Sequence, residues 1–108
     1  MKQIERIRKM EQCLDEATEA LETLSAALDK YCQARVAVAA VGDYYGSEDW
    51  KHDFSDDEAG RLPKNLKRGV LSEDAAWDML TLEHDVRKRM RKLLEETGEE
   101  EKSDDGLL

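Results

Sequence analysis

A chain of 108 residues in which 40% are charged and 40% hydrophobic has room for one small domain. Its net charge of −9 excludes an overall basic nucleic-acid binder, and no stretch approaches the roughly 18 uninterrupted apolar residues of a membrane span. Only 6% of residues are aromatic and one is proline, with Leu, Ala, Val and Met filling the apolar positions, which predicts helix rather than sheet. The start, Met1-Lys2-Gln3-Ile4-Glu5, is charged and periodic, which predicts no signal peptide and a cytoplasmic protein.

The clearest element comes first. Apolar or small residues recur at Ile7, Met10, Leu14, Ala17, Leu21, Leu24 and Leu28, continue at Tyr31 and Val38, and are interrupted only by Arg35. Steps of three and four make this a heptad seam, and no proline or glycine occurs from Ile4 to Val41. A helix of that span is about 57 Å long. The positions flanking the seam are small: Cys13, Ala20, Ala27 and Ala34 on one side, Thr18, Ser25 and Cys32 on the other. A two-stranded coiled coil usually places Glu and Lys there, so this stripe is broad enough for more than one neighbour and predicts a bundle.

Gly42 and Asp43 are the expected end of that helix. Four of the six aromatics follow within eleven residues, Tyr44, Tyr45, Trp50 and Phe54. Ser47 before Glu48 and Asp49 is an N-cap signal, so a short helix is predicted from about Glu48 to Phe54, plugging one end of the bundle. An acidic turn, Ser55 to Gly60, and the Leu62-Pro63 turn come next, with one helical turn expected over 64–68. In Gly69-Val70-Leu71-Ser72-Glu73-Asp74, Ser72 is a second N-cap and Leu71 is placed to staple onto Ala76. The helix it opens, 73–96, ends at Thr97-Gly98 and spans about 36 Å. Residues 1–96 are read as a single helical domain and 97–108 as an acidic, disordered tail.

The predicted architecture is therefore all-α: a long N-terminal helix packed antiparallel against a shorter C-terminal helix, with short connector helices completing a small bundle. The shorter helix leaves roughly 20 Å of the longer stripe to be covered by the connector, a second copy or a different helical protein. Ile7, Met10, Leu14, Ala17, Leu21, Leu24 and Leu28 are the candidate interaction residues.

Residues that could carry chemistry have simpler explanations. Cys13 and Cys32 lie about 28 Å apart along one helix, too far for a disulfide, and are read as buried free thiols in a reducing compartment. His52 sits among Asp49, Asp53, Asp56, Asp57 and Glu58, but the calcium-loop spacing fails and a solvated acidic loop is the better reading. Ser47 and His52 supply letters of a hydrolase triad without a nucleophile elbow or oxyanion motif, and no Gly-rich phosphate loop occurs. The chain is expected to be no enzyme and to need no metal or cofactor. Residues 61–72 carry net +4, and Arg87, Arg89 and Arg91 lie in a second basic run, the candidate phosphate contacts of an alternative, nucleic-acid-linked reading. Complementing the helix dipole and pairing with nearby acids is the better explanation of these cations, and no aromatic is interleaved to stack a base.

Tyr45-Gly46-Ser47-Glu48-Asp49-Trp50, Leu62-Pro63 and above all Gly69-Val70-Leu71-Ser72-Glu73-Asp74-Ala75 resemble the bacterial domain-of-unknown-function family 4298, over residues from about 1 to about 94. The resemblance implies a short helical protein of the bacterial cytoplasm and brings no assigned activity. The functional expectation is thus a helical protein–protein interaction module that forms a homodimer or docks another helical protein, away from any membrane.

Overall fold

The computed structural model of the chain describes residues 2–98; the acidic segment from Glu99 to Leu108, expected as a disordered tail, lies outside the described residues. The elements are α1 (Gln3–Tyr44), α2 (Glu48–Glu58), a 3-10 turn (Gly69–Leu71) and α3 (Ala75–Thr97). The protein is all-α, with a long N-terminal helix, short connecting helices and a shorter C-terminal helix. Two compact units make it up, one of residues up to Ala39 and one from Ala40 onward.

The first unit is α1 alone. Its 42-residue helix is rich in Ala, Glu and Leu, strong helix formers, and buries no side chain completely.

The second unit starts with the last turn of α1. That helix does not stop at Gly42 and Asp43, as expected, but continues to Tyr44. Gly42 is helical, and a Cβ there would stand 3.7 Å from Leu80 Cδ2, so this face of α1 lies against α3. The chain breaks at Gly46 instead, whose φ of +82° is one that L side chains rarely adopt. Ser47 then caps α2 as predicted, its Oγ accepting the Trp50 N–H at 3.1 Å.

α2 runs four residues past the expected end at Phe54, so Ser55-Asp56-Asp57-Glu58 is helix rather than turn. The terminator is Gly60, at φ +74°. Its N–H donates to the Asp57 carbonyl at 3.1 Å and that of Arg61 to the Asp56 carbonyl at 2.9 Å, the Schellman pattern. Arg61 Nη1 also meets Asp56 Oδ1 at 2.9 Å, and Arg68 Nη1 meets Asp57 Oδ1 at 3.3 Å. These cations offset the crowding of carboxylates that argued against a helix here. The helical turn expected over 64–68 is a tight turn, with the Leu66 N–H bonded to the Pro63 carbonyl at 3.2 Å.

α3 starts at Ala75, two residues later than predicted, and its N-cap is Asp74, whose side chain makes no capping bond, rather than Ser72. Ser72 Oγ accepts the Ala75 N–H at 3.1 Å and donates to the Gly69 carbonyl at 2.8 Å, tying the 3-10 turn to the helix. Leu71 and Ala76, 5% and 4% exposed, are the two buried hydrophobic side chains among the described residues. With the N-cap at Asp74, Ala76 is the second helical position, so the pair does not stand in the N′–N4 relation of the predicted staple. Gly98, left-handed, caps the far end by donating to the Leu94 and Glu95 carbonyls.

Leu71→Ala is therefore expected to cost about 2–3 kcal/mol, the low end of buried leucine truncations, because little else packs around the site. Ser72→Ala should cost about 1 kcal/mol through the lost hydrogen bonds to the Gly69 carbonyl and the Ala75 N–H. Urea unfolding followed by Trp50 fluorescence measures both.

Candidate functional site

The long helix carries its candidate site on one face. Within the first unit Ile7, Met10, Leu14, Leu21, Leu24 and Leu28 are between 39% and 65% exposed, and Ala17 between them is exposed too. On a straight helix a heptad seam drifts by about 20° per repeat, so these seven positions stay within the roughly 100° width of one apolar stripe. All seven predicted interaction residues are thus brought onto one continuous exposed face. The seam becomes half-buried at Tyr31 and again at Val38.

The flanks differ from expectation in one respect. Cys13 and Cys32 are free but exposed, not buried. The reading of them as small apolar residues beside the seam placed them correctly in angle. Burial failed because the first unit holds no second element to cover that flank.

In the second unit the aromatic residues pack on one another. Trp50 stands edge-on to Tyr45 and stacked on Phe54, each with ring centroids 5.1 Å apart. Its Nε1 donates to the Val70 carbonyl at 3.1 Å, and the Tyr45 hydroxyl reaches the Glu73 carbonyl at 3.5 Å. The cluster thereby straps α2 to the turn that precedes α3. These carbonyl partners were not legible in the sequence, since any backbone carbonyl looks alike there.

The Tyr44 hydroxyl donates to Asp53 Oδ2 at 2.6 Å. That hydrogen bond, with desolvation and the negative charges of Asp53 and Asp49 adding to it, pushes the phenol up to about 12.

The other chemical candidates are engaged in holding the fold. Ser47 Oγ is occupied as a helix cap. His52 Nδ1 lies 3.6 Å from Asp56 and 3.8 Å from Asp53, one turn along from the Asp49 suggested by spacing. Among the described residues no group of three or more His, Cys, Asp or Glu is arranged to hold a metal ion.

The basic residues do not form one patch. Arg61 and Arg68 pair with Asp56 and Asp57, so the +4 segment neutralises part of the −6 carried by residues 43–60. Arg87 Nη1 lies 3.7 Å from Glu83 Oε2. Arg87 and Arg91 are one turn apart on α3, whereas Arg89, at about 100° per residue, projects from the opposite side. A phosphate backbone would meet two of the three at most.

Fold and site together define a small all-α protein whose main uncommitted feature is an apolar face on a long helix. The profile of the family described as Domain of unknown function (DUF4298) matches residues 7–93, and the chain belongs to that family. The match runs from the first seam residue, Ile7, to Leu93 near the end of α3. Comparison with curated proteins and with solved structures gave no match. No helix among the described residues is long and apolar enough to cross a membrane.

Tyr44→Phe removes the donor to Asp53 and should cost about 0.5–1.5 kcal/mol at neutral pH. Because the folded phenol holds its proton more tightly than the free one, this contribution is full below pH 10 and is lost as the pH rises toward about 12. The stability difference between wild type and Tyr44→Phe, followed by urea unfolding across that window, should shrink accordingly.

Proposed function

We propose that this protein is a non-enzymatic interaction module that docks a helix along the Ile7–Leu28 face of α1. The observation that carries this reading is the exposure of six large apolar side chains on one continuous stripe. A monomer rarely keeps a contiguous apolar patch of more than a few hundred Å² in water, and such patches mark places where another surface sits. Burying a leucine side chain is worth about 1.5–3 kcal/mol, so a helix laid on this stripe gains several such increments for little polar desolvation. The seam spacing is that of helix-in-groove and coiled-coil recognition. Two free thiols fit a reducing cytoplasm, the compartment we assign to it.

Leu21 is 65% exposed, so Leu21→Lys leaves the helix itself intact while placing a charge in mid-stripe. The variant should keep the wild-type circular dichroism and lose both self-association and partner capture. Light scattering after size exclusion over a hundredfold concentration range, with capture run in parallel on wild type and variant, measures this. Unchanged mass and unchanged capture would overturn the reading.

A further inference from the structure

We infer that the occupant of this face is a second copy of the same chain, lying antiparallel with Ala17 of one copy opposite Leu21 of the other. The inference rests on the docking reading above and adds to it the partner and the register.

Reversing a heptad seam exchanges its three- and four-residue steps, so an antiparallel copy can fit the stripe to itself. With the two-fold axis midway between Ala17 and Leu21, Met10 faces Leu28, Leu14 faces Leu24 and Ala17 faces Leu21, each level occurring twice. Every residue in these six levels is exposed in the single chain. The next level at each end sets Ile7 against Tyr31. Sliding the copy by one heptad would instead set Leu28 against the polar Gln3 in one direction and Met10 against Arg35 in the other. The one small seam residue, Ala17, meets a leucine, so each level is filled by a large side chain facing a small or equal one.

Charge favours the same arrangement over a parallel one. A parallel copy in register sets Arg35 against Arg35 and Ala17 against Ala17, a repulsion and a gap in the seam itself. What the parallel form gains is an exposed Arg6–Glu11 pair between chains, which is worth little in water. Residues 1–42 carry only net −1, so two copies of this helix meet without strong repulsion despite the −9 of the whole chain. The flanking Ala20 and Ala27 let the helices approach closely on one side, and there the axis places Ala20 opposite its own counterpart.

Standard interfaces bury about 800 Å² per partner from 20–30 residues a side; the 25-residue span from Ile7 to Tyr31 contacts through one face only, so a concentration-dependent dimer is expected.

The test uses the full chain in a Cys13→Ser, Cys32→Ser background, with one cysteine introduced at a time and mild oxidation followed by non-reducing electrophoresis. Ala20→Cys should cross-link two chains, because that position meets itself only in the antiparallel register. Ala17→Cys should not, because it meets itself only in a parallel pair. Gln12→Cys, on the outer face, measures chance collisions, and Ala20→Cys should exceed it by roughly tenfold or more, as expected for an effective concentration in the millimolar range. Cross-linking through Ala17→Cys overturns the antiparallel arrangement, and a dimeric mass with neither cross-link overturns the register. A monomer at every concentration overturns the second copy altogether; the docking reading then stands only if Leu21→Lys loses a partner that wild type captures.

Discussion

Leu71 is where the second unit comes out of water. It sits at the end of the 3-10 turn, one residue before Ser72, and with Ala76 it makes up the buried apolar set among the described residues. Ser72 bonds both backward, to Gly69, and forward, to Ala75, so the turn and the helix start are held as one piece. Trp50 reaches the same turn from α2 through its bond to the Val70 carbonyl. Removing Leu71 would loosen the 3-10 turn and the surface on which the aromatic cluster rests. A unit with so little buried area depends on local devices, namely caps, turns and glycine terminators, more than on the bulk of a core.

The long helix lives by a different rule. Up to Ala39 it has no packed neighbour within its own unit, so its integrity comes from propensity, length and the absence of glycine and proline. Helices shorter than about 12–15 residues are marginal in water; one three times that length recovers the nucleation cost many times over. Selection for helix stability alone would not require leucines at three- and four-residue steps, because charged and alanine residues would serve as well. Their presence on the exposed face is what makes association the natural use of this element.

Electrostatics in the second unit are largely internal. Residues 43–60 and 61–72 carry opposite net charge, and the structure brings Asp56 to Arg61 and Asp57 to Arg68. These side chains are partly exposed, so each pair contributes a modest amount to stability. Their structural effect is larger than their energy, because they let three consecutive acids remain helical and turn the chain back toward Leu71.

Much of this was legible in one dimension. The all-α class, the N-terminal helix, the cap at Ser47 and the stop at Gly98 all follow from rules that act over a few residues, where chemistry and spacing suffice. The seven seam residues could be named for the same reason, since a period of 3.5 on an uninterrupted helix can produce only one face. Tertiary structure decided the rest. It carried α1 past Gly42, because Leu80 lies against that position and the left-handed break was available at Gly46. It lengthened α2 through Glu58, where Arg61 and, from eleven residues on, Arg68 came within reach of Asp56 and Asp57. It left Cys13, Cys32 and the seam exposed, because burial depends on which surfaces the rest of the chain can reach, and no local pattern contains that information.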